Sequence, residues 1–226
     1  YGDHRDLHVR SRRQRQMCIR DSTYSEQGNT TDPENKLLWR FNRRRLTGEE
    51  VRDSVLALGP GLDTSMGGTL LKVKKRAYVT GSNTNITDEF DNHRRSVYLH
   101  VVRSSVYEVL HALHYPDPAV SNGDRNTTTV APQALFMMNS SLVDTSTLAL
   151  ATSLIAMNPS GRIDRAYSVI MGRVPNEREI LGAQAYTQQV NVAASSAGIP
   201  IDDAELVAWQ SFCRVLLSSN EFFYVE

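Results

Sequence analysis

Across the second half of the chain, apolar residues recur with helical period. Ile163, Ala166, Tyr167, Ile170 and Met171 fill the i, i+3, i+4, i+7, i+8 positions that align on one helix face. Leu206, Trp209, Phe212, Cys213, Leu216 and Leu217 do the same for a last helix that stops near Asn220. Between these two, residues 176–194 predict a helix with a small-residue face. Leu135, Met138, Leu142, Leu148 and Ile155 predict one long helix that starts near Pro132.

The first half is less regular. Asp32 before Pro33 reads as an N-cap followed by proline at the first helical position, with Leu37, Leu38 and Phe41 as that helix's apolar side. Thr47 and Glu50 have capping-box spacing ahead of Val51, Val55 and Leu58, and Gly59-Pro60-Gly61 ends that helix. Met66-Gly67-Gly68 opens a loop. Residues 70–79 hold two weak strand candidates and residues 81–92 a polar loop or hairpin tip. Residues 96–102 (SVYLHVV) form the strongest strand pattern, rich in β-branched and aromatic side chains. A short helix carries Val106, Val109, Leu110 and Leu113 and ends before Pro116, and residues 117–129 are a turn-rich loop. The expected fold is mainly α: a helical domain with a small antiparallel β element near residues 70–102.

Composition changes this picture little. The chain has 226 residues, enough to bury a core, with 40% hydrophobic and 22% charged residues. No apolar run approaches the roughly 18 residues of a membrane span, and no apolar stretch follows the basic start as a signal peptide requires. Two cysteines, Cys18 and Cys213, exclude a disulfide framework and a cysteine metal cluster. A formal charge of zero excludes strong nonspecific attraction to nucleic acid.

Residues 1–22 stand apart. They carry six arginines and no lysine, with almost no apolar periodicity. An arginine-rich arm of this kind could bind nucleic acid or a membrane surface. The string RSRRQRQMCIRDS, however, resembles translated adaptor sequence that contaminates metagenomic assemblies. The expectation is therefore an artefactual, disordered segment 1–22 followed by a helical domain over 23–226. His4, His8 and Cys18 then leave any site argument, and the remainder is mildly acidic.

Four ordered blocks carry a family resemblance: TDPENKLLWRFNRRRLTGEEVRDSVLALGPGLDTSMGG, RRSVYLHVVRS, TTTVAPQALFMMNSSLV and LLSSNEFFYVE. Together they resemble the planctomycete C-terminal domain known as domain of unknown function 1553. The resemblance implies that the domain begins upstream, so the chain is expected to be a C-terminal piece whose start is missing. It also implies a cytochrome-c-like domain elsewhere in the full-length protein, with export to the cell envelope or secretion. The haem-attachment pattern CxxCH does not occur in these residues. No cofactor is expected in this segment, and haem is expected only in that upstream part. The implied partners are other domains of the same protein.

The polar motifs have structural and functional readings. Arg43-Arg44-Arg45 can complement a helix dipole and pair with Glu49, Glu50 or Asp53, or can bind an anion through Arg44. In His93-Arg94-Arg95, Arg95 is the residue expected to point inward, locking loops or facing a ligand. Gln133 and Asn139 can join elements within the core or present amides to a sugar. His111 and His114, spaced i, i+3 near Asp117, could share a metal, but no third ligand is fixed and half-buried surface histidines explain them. The glycine-rich stretch 59–68 matches neither a Walker loop nor a dinucleotide fingerprint. The serines lack a nucleophile elbow, and Met137 and Met138 fit as core filler. No catalytic residue and no metal site is expected, and Arg44, Arg95, Gln133 and Asn139 are the candidate ligand contacts. The leading expectation is an assembly or ligand-binding module, with polysaccharide as the candidate ligand. The alternative is part of an enzyme acting on glycans or sulfated polymers, its site shared with the upstream region.

Overall fold

The structure, a computed structural model, describes residues 25–40, 44–59, 61–68, 92–101, 106–118, 120–121 and 131–225. Segment 1–22, Phe41, Arg43, Pro60, the strand candidates at 70–79, loop residues 81–91 and most of 117–129 lie outside the described residues. Two compact units divide the chain: residues up to Arg45 together with 224–226, and Leu46–Phe223.

In the smaller unit, α1 (Glu26–Thr31) starts at Ser25, whose hydroxyl accepts the Gly28 N–H at 3.2 Å. Asp32 ends this helix and does not begin one. Its carboxylate oxygens accept the N–H groups of Lys36 (3.0 Å) and Leu37 (2.6 Å), and its carbonyl accepts the Trp39 indole N–H (2.8 Å). Asn35 exchanges hydrogen bonds with the Arg40 backbone in both directions. Those bonds hold Asn35 and Leu38 at φ 53° and 57°, which no α-helix admits. The expected apolar side is exposed as a result, Leu37 by 78% and Leu38 by 57%. β1 (Arg44–Arg45) pairs antiparallel with β2 (Tyr224–Val225), Arg44 opposite Val225.

The larger unit begins with α2 (Gly48–Leu58). Both halves of its capping box form: Thr47 Oγ1 accepts the Glu50 N–H at 3.3 Å, and Glu50 Oε2 accepts the Thr47 N–H at 2.8 Å. Val51, Val55 and Leu56 are buried, and the helix ends at Gly59 as its spacing predicts. Ser96–Tyr98 is a single 3-10 turn, not the expected strand. The short helix α3 (Glu108–Ala112) buries Val109 and Leu110 as expected.

The expected long helix is two, α4 (Ala131–Asn139) and α5 (Ser141–Ile155), because Ser140 between them has extended backbone (ψ 132°). The face of α5 also differs from expectation. Val143, Ser146, Thr147, Leu150, Ala151 and Leu154 are buried, whereas Leu148, like Leu135 and Met138 on α4, is exposed. Met137 is buried as core filler.

The remaining helices follow the pattern: α6 (Arg162–Ile170), α7 (Glu177–Ser196) and α8 (Ile201–Leu217), then the short α9 (Asn220–Phe223). α8 packs against both α5 and α7. The Phe212 ring lies among Tyr167, Tyr186 and Trp209 at 5.9–6.3 Å between centroids. Cys213 is fully buried on the same helix, and burial pushes its thiol up to about 12, so it stays protonated and inert. The unit closes on itself where the Leu46 N–H donates to the Phe223 carbonyl at 2.8 Å. Mainly α with a small antiparallel β element is thus the observed class, the pair lying at 44–45 and 224–225.

Two arginines tie the helices together. Arg162 donates to the carbonyls of Ile155 (2.8 Å) and Met157 (3.3 Å) and to Glu205 (2.5 Å), joining α5, α6 and α8. Arg173 donates to both carboxylate oxygens of Glu179 (2.6 and 2.8 Å) and of Glu221 (2.5 and 2.8 Å). The Arg173 hydrogen bonds, with a backbone bond from Asn176, hold the Glu179 carboxyl down at about 2. A carboxyl depressed in the folded state stabilises fully above its ordinary value of 4.5, and that contribution fades as pH falls toward 2. Glu179→Gln is therefore expected to lower the urea midpoint at neutral pH and to flatten its decline between those two values. Parallel pH curves for variant and wild type would contradict this.

Candidate functional site

The sequence feature that organises the site is one the pattern hides. Arg52 sits between Val51 and Val55, in the apolar stripe of α2, and is 1% exposed. A buried guanidinium needs acceptors, and the chain supplies them from segment 92–96. Nη2 donates to the Asn92 carbonyl (2.5 Å), and Nη1 to the Arg94 carbonyl (2.8 Å) and Ser96 Oγ (3.3 Å). The guanidinium lies 5.7 Å from the Tyr107 ring centroid, and Asp53 supplies the counter-charge at 3.5 Å. Asp53 Oδ1 in turn accepts both the N–H (2.8 Å) and the hydroxyl (2.6 Å) of Ser96. Two neighbours on one helix therefore capture Ser96, which explains why a β-prone segment turns there.

Arg94 anchors the other side of this segment. It donates to the carbonyls of Ser65 (2.9 Å) and Gly67 (2.7 Å), and its guanidinium stacks 4.6 Å from the Tyr98 centroid. Asp63 bridges to the same strand-like stretch through its N–H to the His93 carbonyl (2.8 Å). The Ser65 N–H holds the Asp63 carboxyl below its usual range. The inward role expected of Arg95 is thus filled by Arg94 and Arg52. Arg95 is exposed.

Around Arg95 the surface is concave. An open groove of about 450 Å³ is bordered by Thr47, Glu49, Asp53, Arg95, Ser96 and Tyr115. Tyr115 also borders a second hollow of about 680 Å³, whose lining includes His111, His114 and Asp117. His114 takes a left-handed backbone conformation (φ 62°) between Leu113, which is buried, and Tyr115. Among the described residues no three His, Cys, Asp or Glu side chains gather into a metal-ligating group.

The four candidate ligand contacts have different surroundings. Arg95 lines the groove. Gln133 is 2% exposed within α4, in keeping with a joining role. Asn139, at the end of the same helix, is exposed and donates its amide back to the Leu135 carbonyl at 3.1 Å. Arg44 is exposed on β1, in the smaller unit. Among the described residues no helix is long and apolar enough to cross a membrane.

Neither a curated protein nor a solved structure matches the chain. A family described as PSD1, protein of unknown function (DUF1553), matches residues 14–187, well over half of the sequence. The ordered blocks containing Thr47 to Asp53, the Arg94-Arg95-Ser96 turn and α4 all fall within the matched region, and the chain belongs to this family.

Proposed function

We propose that the larger unit is a non-catalytic ligand-binding module, that its groove takes a neutral polysaccharide, and that it serves other domains of an exported envelope protein. The observation that carries this reading is the chemistry of the groove. Thr47, Glu49, Arg95 and Tyr115 bring hydroxyl, carboxylate, guanidinium and phenol side chains to the border of one open depression. Planar polar groups beside an aromatic face suit a polyhydroxylated ring, which offers both hydroxyls and an apolar face. Glu49 and Glu50 border the groove beside Arg95, and carboxylates at its rim suit a neutral chain better than a sulfated one. Two of the lining carboxylates already serve the fold, Glu50 at the N-cap of α2 and Asp53 on Ser96, which supports binding over acid–base chemistry.

The test is retardation in native gels containing galactomannan, hydroxyethylcellulose or carrageenan. Retardation is expected with a neutral polymer. Arg95→Ala is expected to weaken it about tenfold, roughly 1.4 kcal/mol, with an unchanged melting temperature. Preference for the sulfated polymer, or retardation by none, would overturn the proposal. Turnover of any of them, lost in Arg95→Ala, would replace it with the enzyme reading.

A further inference from the structure

We infer that the groove at Arg95 and the second hollow at Tyr115 form one trough that holds an oligosaccharide across at least two subsites. The inference rests on the neutral-polysaccharide reading and adds the ligand's length and a second set of contacts.

Tyr115 and the end of α3 are the common wall. Leu110 and Tyr115 line the first groove, and Tyr115 with His111 and Ala112 line the second hollow. The wall is fixed in place. The Tyr115 N–H donates to the Leu110 carbonyl at 2.9 Å, Leu110 and Leu113 are buried, and Pro116 restricts the backbone of Tyr115 before it. Both cavities fall in the range of about 300–1,000 Å³ common for small-ligand sites. A chain passing over the ridge can therefore fill both.

The two halves offer different chemistry. The first sets carboxylates and Arg95 among the apolar side chains of Val97, Leu99, Val101 and Leu110. The second is lined by Val106, Pro116, Pro118 and Pro132 together with His111, His114 and Asp117. Apolar side chains beside hydrogen-bonding ones fit a sugar ring, and prolines supply the apolar part without losing side-chain freedom. Among the described residues the trough is walled by helices, a 3-10 turn and loops. A peptide strand would find no sheet edge there to extend.

The experiment is calorimetric titration of the full chain with manno- and cello-oligosaccharides of one to six units, repeated with His111→Ala and Arg95→Ala. His111 is exposed and lines only the second hollow, so its loss should leave folding intact. Affinity is expected to rise at least tenfold between the shortest bound sugar and the hexamer, as a second subsite engages. His111→Ala should remove most of that gain while leaving the shortest sugar's affinity unchanged. Arg95→Ala should weaken every length. Affinity independent of length, or a length gain that survives His111→Ala, overturns the single trough and leaves the polysaccharide reading standing. Absence of binding at every length removes both, and tighter binding of a proline-rich peptide would reassign the trough.

Discussion

Arg52→Ala is expected to lower the thermal midpoint by roughly 10 °C. The substitution removes a guanidinium that is 1% exposed and strands the carbonyls of Asn92 and Arg94, the Ser96 hydroxyl and the Asp53 carboxylate. Breaking a buried, hydrogen-bonded charge in this way costs about 3–5 kcal/mol, and each kcal/mol moves the midpoint of a domain this size by about 2–4 °C. Arg52→Lys keeps the charge but not the fork that reaches two carbonyls at once, so an intermediate loss is expected. Asp53→Asn keeps an acceptor for Ser96 but leaves the buried guanidinium without its counter-charge, so it too should be clearly destabilising. A further consequence separates this from simple loss of core. Segment 92–96 carries Arg95, so Arg52→Ala should also abolish polysaccharide retardation at temperatures where the helices remain folded. Scanning calorimetry with far-UV dichroism reads both effects, and an Arg52→Ala midpoint within about 2 °C of wild type, less than a single kcal/mol would produce, would refute the buried-anchor account.

The second large effect lies at Gly59. A β-carbon there would press on Ser146 Cα and fall 2.6 Å from Ser146 Cβ, where no rotamer change can make room. Gly59→Ala must push α2 away from α5, and a cost of about 3 kcal/mol or more is expected, at the upper end for overpacking. Two other glycines give the contrast. A methyl group at Gly161 would meet nothing within 4 Å, so its alanine variant should be close to neutral. Gly182 lies exposed within α7 with the same open space. Gly182→Ala should stabilise by about 0.5–1 kcal/mol, from helix propensity and a less flexible unfolded chain. The same chemical change is thus expected to act in opposite directions at positions 59 and 182. Urea midpoints for the three variants test it, and equal shifts at both positions would contradict the packing argument.

These contacts also explain which parts of the fold could be read in advance. The capping box at Thr47 acts within three residues, and α6 and α8 have an unambiguous apolar stripe, so their positions follow from local rules. α5 has no such stripe. Its sequence SLVDTSTLALATSLI is small or apolar almost all round, and hydrophobicity points to Leu148. Packing chooses Ser146, Thr147 and Ala151 instead, because small side chains admit the close approach at Gly59. At Ser96 the β-propensity of SVYLHVV is real but loses to Asp53 and Arg52, partners more than forty residues away. Asp32 shows the same limit on a shorter scale. Its carboxylate is equally suited to start a helix or to close a loop, and the Trp39 and Arg40 contacts select the loop. Of the candidate site, the motif singles out Arg95 but gives it the inward role that Arg94 and Arg52 take. Arg52 was not legible, since an arginine in an apolar stripe reads as a solvated exception until its acceptors are seen.

The hydrogen bond between Leu46 and Phe223 bears on how the larger unit is made. The two ends of this unit, at Leu46 and Phe223, therefore meet at one place. During synthesis the amino-terminal edge of the unit waits for its partner until the residue at 223 has left the ribosome. Because α8 packs on both α5 and α7, an early stop before it would leave those two helices without their shared partner, apolar surface on which chaperones and proteases act.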